Sequence, residues 1–157
     1  MQPKRVTQST KFYYIEIMTE KKSFLNNNNG TITDNSNGLA WSQKDSWQIH
    51  QDWLTFQEAL SWVDELNKKD FLGFHDWRIP EKDEMEKLFI PDNIIIGRSK
   101  QELHIDTSFE PGGGNGSWCM PFDQQSAFYF SYSSGILQHF DQDFSQGYLR
   151  PVRLYSD

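Results

Sequence analysis

The chain has 157 residues, a length that fits one domain and leaves no room for a second full domain. Aromatic residues make up 15% of it, with 6 Trp, 6 Tyr and 12 Phe, and this abundance of large rings excludes an intrinsically disordered chain. The formal net charge of -7 argues against binding to nucleic acid or anionic lipid, and no apolar run is long enough to insert into a membrane.

The first twenty residues give two predictions. Residues 1–11 are polar and are expected to form a loose segment, and residues 12–157 are expected to form a single domain in which the alternating aromatic run Phe12–Met18 is a strand. Glu16 interrupts that run and no small-residue cleavage site follows, so the pattern is not that of a signal peptide. We therefore expect a cytoplasmic protein, with export by another route and association with a virion left open.

A β-hairpin is predicted next along the chain. Two short β-prone stretches, Thr31–Thr33 and Leu39–Trp41, flank the run Asp34–Gly38, whose Asp, Asn and Gly residues favour a tight turn. Runs of Asp and Asn also occur in calcium-binding loops, but this one lacks the D-x-[DN]-x-[DN]-G spacing and the closing glutamate. The turn is the better interpretation.

Two helices are predicted in the middle of the chain. The first spans Thr55–Lys69 and begins with a capping box formed by Thr55 and Glu58. The second is shorter, begins near Pro80 and ends at Pro91. The inward-facing positions are Phe56, Ala59, Leu60, Val63 and Leu66 in the first helix and Met85, Leu88 and Phe89 in the second.

The second half of the chain is predicted to be a long connection followed by strands. The connection, Asp92–Ser117, contains the glycine-rich run Pro111–Gly116, which predicts a flexible segment. The strands that follow predict an antiparallel meander, and Pro151 places the last strand at an edge or at a bulge because proline cannot donate to a ladder. These strands are Ala127–Tyr132, Ile136–Phe140 and Tyr148–Leu154. The element order indicates an α+β fold, with two helices packed on a twisted antiparallel sheet and a long irregular loop.

Residues able to support catalysis or to bind metal are sparse. The four histidines are isolated from one another in sequence. Cys119 is the only cysteine, so no intramolecular disulfide can form, and its apolar neighbours in Trp118–Phe122 predict a buried, inert thiol. Asp123, Asp141 and Asp143 carry the oxygen ligands that calcium prefers, but acidic residues are also common in polar turns. The sequence therefore predicts no catalytic residue, no metal site and no cofactor.

Several segments, taken in order, resemble one known family. Gly30–Trp41 is similar to its opening motif G-T-V-T-D-x-x-T-G-L-x-W, and Thr55–Leu66 is similar to its helix T-W-x-E-A-L-x-x-C-x-x-L. Gly73–Pro80 resembles the block G-Y-x-D-W-R-L-P, and Tyr148–Arg153 resembles the closing motif Y-V-R-C-V-R. On these motifs the chain is identified as a member of the DUF1566 family, the C-terminal domain of the Legionella collagen-like adhesin, over Phe24–Leu154.

The resemblance implies a C-type-lectin-like fold, related to the formylglycine-generating enzymes and to the variable proteins of diversity-generating retroelements. Members of the family look like binding or adhesion modules. The motif residues are expected to be structural, with tryptophans as core anchors and arginines that bind loop carbonyls or carboxylates. These residues are Trp41, Asp76, Trp77, Arg78, Pro80, Arg150 and Arg153.

Departures from the family pattern bear on location and activity. Val63 and Pro151 stand where relatives often have cysteines, so the disulfides of exported relatives are absent and a reducing environment is expected. The calcium-dependent sugar motif of true C-type lectins is also absent, because Glu110–Pro111 is followed by Gly112. A single cysteine cannot supply the pair on which the formylglycine-generating enzymes rely.

We therefore expect a non-enzymatic binding module that recognises a protein or glycan partner through its long loop and C-terminal strands. The alternative is a structural subunit of a larger assembly, such as a phage particle or a cytoplasmic complex, and an enzyme of the formylglycine-generating type ranks third. Rings, amides and carboxylates on short strands and turns indicate the binding residues. They are Trp118, Asp123, Gln124, Gln125, Tyr129, Tyr132, His139, Asp141 and Asp143.

Overall fold

The computed structural model describes residues 23–155. The predicted loose segment at residues 1–11 and the predicted strand Phe12–Met18 lie outside the described residues. The strands are β1 (Phe24–Asn26), β2 (Thr31–Asp34), β3 (Leu39–Ser42), β4 (Ile95–Ile96), β5 (Glu102–Leu103), β6 (Gly116–Phe122), β7 (Ser126–Ser131), β8 (Leu137–Asp141) and β9 (Val152–Leu154). The helices are α1 (Ser46–His50), α2 (Phe56–Lys68) and α3 (Lys82–Leu88), with a 3₁₀ turn at Phe71–Gly73. These strands form three antiparallel sheets, which confirms the predicted α+β class.

A four-stranded sheet in the order β1-β2-β3-β9 joins the two ends of the described chain. The predicted hairpin is confirmed, because β2 pairs with β3 and Asp34 lies opposite Leu39. The Asp34 carboxylate accepts hydrogen bonds from the backbone and side-chain amides of Asn37 and so holds the turn. β9 pairs with β3, with Val152 opposite Trp41. The prediction that the last strand continues the meander is therefore wrong.

The last strand leaves the meander because the chain before it is bonded to α1 and to the segment between α1 and α2. Gly147 and Leu54 exchange both backbone hydrogen bonds, at 2.8 and 2.9 Å. The carbonyl of Leu149 accepts a bond of 2.8 Å from the backbone of Ser46. These bonds carry the chain to the open edge of β3, where Pro151 directly precedes β9. The edge position predicted from Pro151 is confirmed.

The other large sheet is the meander β6-β7-β8. Trp118 pairs with Tyr129, and Tyr129 pairs with Gln138. Because side chains alternate along a strand, these three residues share one face, while Cys119 and Phe130 lie on the other face. The chain between α3 and β6 is less irregular than predicted, since β4 and β5 form a short antiparallel pair within it.

Helix α2 forms as predicted. Thr55 accepts a hydrogen bond from the backbone of Glu58, whose side chain bonds in return to the backbone of Thr55. The helix ends at Lys68, so both predicted ends agree with the structure to within one residue. Of the predicted inward positions, Leu60 is only half-buried and the others are buried: Phe56, Ala59, Val63 and Leu66.

The other two helices differ from the prediction. α3 begins at Lys82 behind the N-cap Glu81, two residues later than a start at Pro80. Its Met85 and Leu88 are buried as predicted, and Phe89 is half-buried. α1 was not predicted, because five residues are too few for a helical period to show. None of the helices within residues 23–155 has the length and apolar character of a membrane span.

Two core clusters lie on the two faces of the meander. One contains Phe24, Ile32, Leu39, Trp41, Met85, Leu88, Ile95, Leu103, Ile105, Phe109, Cys119, Phe130, Tyr132 and Val152. The other contains Leu54, Phe56, Ala59, Val63, Leu66, Trp77, Ile79, Trp118, Ala127, Tyr129, Tyr148 and Leu149. The first joins the meander to the four-stranded sheet and α3, and the second joins it to α2.

A fully buried arginine connects the two large sheets. Arg150 donates through Nη1 to the carbonyls of Ser42 and Gln43, at 3.0 and 2.7 Å, and through Nε to the hydroxyl of Tyr132 at 3.2 Å. The centre of its guanidinium lies 4.8 Å from the centroid of the Phe109 ring. The side chain thus links the chain entering β9 with the end of β3 and with the residue following β7.

Two further arginines pair with carboxylates. Arg78 makes a bidentate pair with Glu84, with both N–O distances at 2.8 Å. Arg153 donates to Asp76 at 2.6 and 3.3 Å. The hydrogen bond from Arg153 lowers the pKa of Asp76 below its usual 3.8. Both pairs hold the segment around Trp77, which is buried at 2% exposure.

Thr55→Ala is expected to lower the free energy of unfolding by about 1 kcal/mol, because the backbone N–H of Glu58 loses its capping acceptor. Urea unfolding followed by tryptophan fluorescence measures this change. Ser61→Ala, at an exposed position of the same helix, is the matched control and should change stability by less than about 0.5 kcal/mol. Equal effects of the two substitutions would contradict the capping role.

Asp76→Asn is expected to destabilise the fold by about 1 kcal/mol or less at neutral pH, because the Asp76 carboxylate is half-exposed and its pair with Arg153 is screened by solvent. The lowered pKa means that the carboxylate stabilises the fold above its usual pKa and loses this contribution as the pH falls through the folded value. The difference between wild type and variant should therefore vanish in acid. Urea titrations over a pH series check this, with Asp64→Asn on α2 as the control.

Candidate functional site

A cleft of about 510 Å³ opens over one face of the meander. Its lining residues come from the strands β7 and β8, from the segments that follow them, from the chain between α1 and α2, and from the residue before β6. They are Trp53, Asn115, Tyr129, Ser131, Ser134, Gln138, Phe140, Ser145, Gln146, Gly147 and Tyr148. Among these described residues there are aromatic rings, amides and hydroxyls but no formally charged side chain. The cleft is thus concave, aromatic and neutral.

The floor of the cleft is an aromatic cluster. The ring of Phe140 meets Tyr129 and Trp118 edge to face, with centroid distances of 5.8 and 6.4 Å. Trp118 is fully buried and Tyr129 nearly so, whereas Phe140 is 37% exposed. Gln138 lies two residues from Phe140 on the same face and is also exposed. The floor therefore offers solvent one ring and one amide, held by a buried base.

The hydroxyl of Tyr148 organises one wall. Its oxygen accepts hydrogen bonds from Trp53 Nε1 and from Arg98 Nη1, both at 2.9 Å. Arg98 in turn lies over the ring of Trp47, 3.5 Å from its centroid. Trp53 is 42% exposed at the rim. An arginine and two tryptophans thus fix the position of Tyr148.

Glycines permit the close packing of these rings. A Cβ at Gly114 would overlap the ring of Tyr148, and one at Gly147 would clash with the ring of Tyr129. Gly114 also donates its backbone N–H to the buried carboxylate of Asp45, at 2.6 Å. Gly112 donates its N–H to the carbonyl of Ile96, and the carbonyl of Gly113 accepts a hydrogen bond from the N–H of Arg98. The prediction of a flexible glycine-rich segment is therefore wrong, since this run is packed and hydrogen-bonded.

The structure corrects the predicted roles of two aromatic residues. Trp118 and Tyr132 have no exposed surface, and neither is available to a partner at the surface. Trp118 donates from Nε1 to the carbonyl of Leu54 at 2.9 Å, and Tyr132 accepts from Arg150. Tyr129 is buried but lines the cleft, and its hydroxyl donates to Asn115 Oδ1 at 2.8 Å.

The predicted acidic and amide residues lie in two turns. Asp123 accepts backbone hydrogen bonds from Gln125 and Ser126, and the bond from Ser126 is the main cause of its lowered pKa. Asp141 accepts backbone bonds from Asp143 and from the following residue. Gln142, which the sequence analysis missed, connects these turns through its buried side chain. These carboxylates stabilise turns, and within residues 23–155 no three His, Cys, Asp or Glu side chains gather as metal ligands would.

The remaining predicted contacts are exposed but do not line the cleft. His139 lies on the opposite face of β8, where its ring is 4.0 Å from that of Phe128. Gln124, Gln125 and Asp143 are exposed in the turns. Of the predicted binding residues, only Tyr129 lies in the cleft wall or floor. A binding role for the exposed residues stays a prediction.

The motif residues lie in structural positions. Trp41 is fully buried, and its indole nitrogen has no hydrogen-bond partner within residues 23–155. Trp77 donates from Nε1 to the carbonyl of Phe71 at 2.8 Å. Pro80 is buried, and its carbonyl accepts a bond from the backbone of Met120. Arg78, Asp76, Arg150 and Arg153 form the pairs described above.

Most of the cleft residues were not predicted from the sequence. Gln138 and Phe140 had a usable signal, because alternation in the predicted strand Ile136–Phe140 places them on one face. Trp53 had no such sequence signal, since it lies in a stretch without helical or strand periodicity. The thiol of Cys119 adds no chemistry here, because burial raises its pKa from 9.0 to about 12 and it lies on the other face of the sheet.

A second groove of about 640 Å³ runs beside β1 and is lined by Ser23–Asn26, Asn28, Ile90 and Asp106–Ser108. The Asp106 carboxylate accepts a bond from the backbone of Ser108 at 2.9 Å. The neutral cleft is the better candidate, because its lining includes the exposed rings of Trp53 and Phe140.

The fold and the cleft define an α+β domain with a neutral, aromatic surface site. The chain belongs to the Lcl C-terminal domain family, whose model matches residues 30–153. This match confirms the resemblance indicated by the motifs at Gly30–Trp41 and Tyr148–Arg153. Comparison with curated proteins finds no significant match. The family suggests an adhesin-like module.

Gly114→Ala is expected to lower the free energy of unfolding by about 1–3 kcal/mol, because the added Cβ overlaps the ring of Tyr148 and forces the wall to move. Chemical unfolding and near-ultraviolet circular dichroism measure the loss of stability and the change in aromatic packing. Gly97→Ala is the control, since its Cβ would lie 3.1–3.2 Å from side-chain atoms of Leu103 and Gln101, a tight contact but not an overlap with a ring. A stable Gly114→Ala variant with an unchanged spectrum would contradict the packing role.

Proposed function

We propose that the protein is a non-enzymatic binding module that holds part of a protein or glycan partner in the neutral cleft. The observation that carries this proposal is the combination of exposed rings with uncharged amides and hydroxyls in one concave site. Ligand sites of about 300–1,000 Å³ commonly have this composition, with rings supplying contact area and a few polar groups supplying orientation. The proposal includes the C-type-lectin-like fold that the resemblance implies.

The rigidity of the site supports a binding role. Tyr148 is fixed by two hydrogen bonds, and Phe140 by two edge-to-face ring contacts. A site held in place before the ligand arrives loses little conformational entropy on binding, which favours affinity. Pre-organised aromatic side chains are also typical of binding hot spots.

The chemistry of the lining supports a role without catalysis. Among the described residues that line the cleft, the only titratable side chains are the phenols of Tyr129 and Tyr148. Burial raises the pKa of Tyr129 well above its usual 10, so this phenol is a poor proton acceptor or donor near neutral pH. The cleft thus offers contacts and hydrogen bonds rather than a general acid or a nucleophile.

A fixed subunit of a larger assembly is the second candidate. Phe144 is 84% exposed and Ile136 is 55% exposed, and both lie close in sequence to cleft residues. Large exposed apolar side chains are typical of surfaces that become covered. Constant stoichiometry on purification from the native host would favour this alternative over a module with an exchangeable ligand.

The double variant Trp53→Ala/Gln138→Ala tests the proposed binding surface. Wild type and variant are applied to glycan and peptide arrays, and the ligands retained by wild type are titrated by calorimetry. We expect at least about tenfold weaker binding by the variant, because it loses a rim ring and an exposed amide. Leu154→Ser, a change at an exposed position of β9 outside the cleft, should have little effect. Unchanged affinity of the double variant for every ligand would contradict the proposal.

A further inference from the structure

We infer that the open edge of β8 takes an extended, cationic segment of another protein as an added antiparallel strand. The inference goes beyond the proposed function, because the contacts are made by backbone groups at the edge of the sheet and not by the cleft. It follows from three properties of β8: backbone groups that face outward, an edge without protection, and carboxylates with no lysine or arginine beside them in the sequence.

The first property is the direction of the backbone groups of β8. At one end of the pairing with β7, Ser131 donates its N–H to the carbonyl of Ile136 at 3.1 Å. At the other end, Gln142 donates its N–H to the carbonyl of Gln125 at 2.9 Å. Hydrogen-bonded and non-bonded positions alternate along an antiparallel pair. The even-numbered positions from 136 to 142 therefore direct their backbone groups towards β7.

The odd-numbered residues of β8 direct their backbone groups to the other side, away from β7. These residues are Leu137, His139 and Asp141, and each carries one N–H donor and one C=O acceptor. β8 is the outer strand of its sheet, so no strand within residues 23–155 pairs with these groups. Leu137 is half-buried, and the rest of β8 is exposed. The edge is thus a free template for another strand.

The second property is the lack of protection along this edge. Natural edge strands carry lysine, proline or a bulge, or are covered, because free backbone groups otherwise pair with other chains. β6 donates from Trp118 and Met120 to the carbonyls of neighbouring segments, and in β9 Val152 exchanges both backbone bonds with Arg78. β8 contains neither lysine nor proline, and its register with β7 is unbroken. An edge of this kind suits strand addition.

The third property is negative charge beside the edge. Residues 123–149 include Asp123, Asp141 and Asp143 but no lysine or arginine. Asp141 lies in β8 itself, and the other two carboxylates lie in the turns that join β7 to its two neighbouring strands or follow β8. The formal net charge of -7 adds a long-range attraction for cations. A basic partner therefore complements this edge.

Two cations near the meander are engaged with aromatic rings. Lys82 lies over the ring of Phe128 in the central strand β7, 5.1 Å from its centroid. Arg98 donates to the hydroxyl of Tyr148 and lies over the ring of Trp47. Neither side chain belongs to β8 or to its flanking turns, so the formal charges of that strand and those turns stay negative.

The side chains of β8 define the sequence that pairs best with it. An added antiparallel strand runs from Asp141 towards Leu137, so a basic residue opposite Asp141 comes first. A β-branched or aromatic residue opposite Phe140 covers a ring that is 37% exposed. A hydroxyl-bearing residue suits the position opposite Gln138, and an apolar residue suits the position opposite Leu137. Read from its N-terminus, the expected partner is basic, apolar, any residue, polar and apolar.

Charge favours a cationic strand over a second copy of this chain. Two copies paired through β8 would bring together two chains with a formal net charge of -7 each. A twofold pairing centred on His139 would place Asp141 of each copy opposite Leu137 of the other. Neither carboxylate would then gain a cation. A basic segment supplies the opposite charge directly.

Synthetic peptides of seven residues test the strand addition. Three peptides share the core Ile-Thr-Thr-Val and carry lysine, glutamine or glutamate at the two positions before it and the one after it. Each is titrated into the full chain by calorimetry. We expect the lysine peptide to bind at least about tenfold more tightly than the glutamate peptide, with the glutamine peptide between them. Added salt should weaken the lysine peptide.

N-methylated versions of the lysine peptide test the backbone bonds on the unmodified protein. In the expected register, the lysine before the core, the first threonine and the valine direct their N–H groups at β8. Methyl groups on these three nitrogens should weaken binding by about tenfold or more. Methyl groups on the isoleucine and the second threonine face away from β8 and should change the affinity by less than about threefold.

Two variants at His139 test the edge from the side of the protein. His139→Pro removes an outward N–H without removing a bond to β7, and should weaken the lysine peptide by about tenfold or more, with folding checked by circular dichroism. His139→Lys adds a charge to the edge and should weaken this peptide by about threefold or more. His75→Lys, the same change at an exposed histidine outside β8, is the matched control and should leave the affinity within about 1.5-fold.

The outcomes decide this inference separately from the proposed function. Failure of wild type to bind any of the peptides, equal binding of the lysine and glutamate peptides, or tolerance of the methyl groups that face β8 would overturn strand addition. Sedimentation equilibrium of wild type alone adds a further check, since a dimer that His139→Pro dissociates would assign the edge to a second copy and overturn the cationic partner. The array titrations on Trp53→Ala/Gln138→Ala test the cleft, and their result holds whatever the peptides do.

Discussion

The buried guanidinium of Arg150 is the constraint on which the arrangement of the domain depends. A positive charge removed from water is tolerated only where acceptors surround it. Here the acceptors come from separated parts of the chain: the carbonyls of Ser42 and Gln43 and the hydroxyl of Tyr132. Three hydrogen bonds from Nε and Nη1 therefore fix the last segment against both large sheets, while Nη2 has no hydrogen-bond partner among the described residues. The Arg150 guanidinium thus helps to determine how the two core clusters, on the two faces of the meander, are placed relative to each other.

The cleft is a consequence of that placement. Tyr148 lies two residues before Arg150, so anchoring the arginine also brings the tyrosine to the edge of the meander. Its ring reaches that position because Gly114 has no Cβ, and the same glycine bonds to the buried carboxylate of Asp45. Arg98 and the neighbouring tryptophans then hold the hydroxyl. The proposed site is thus built from core packing that stops at the surface rather than from a separate mobile loop.

Local signals in the sequence predicted local structure. The capping box at Thr55 and the apolar period behind it defined α2, and the Asp/Asn/Gly run defined the hairpin turn. The partner of the last strand was predicted wrongly, because pairing with β3 joins residues far apart in sequence and alternation does not encode it. Trp118 was assigned to the surface for a related reason: a strand pattern does not state which of its two faces is covered. The glycine-rich run was misread because the absence of a side chain permits both flexibility and close packing.

The register of the four-stranded sheet determines how the domain can be attached to anything else. Phe24 lies opposite Asp34 and Leu154 opposite Leu39, so both ends of the described chain meet the sheet at the side of the hairpin turn. They are roughly 14 Å apart, across three strand spacings. β1 therefore begins, and β9 ends, on the same side of the sheet, so that a linker or a fusion partner joined at either described end would start from this one side.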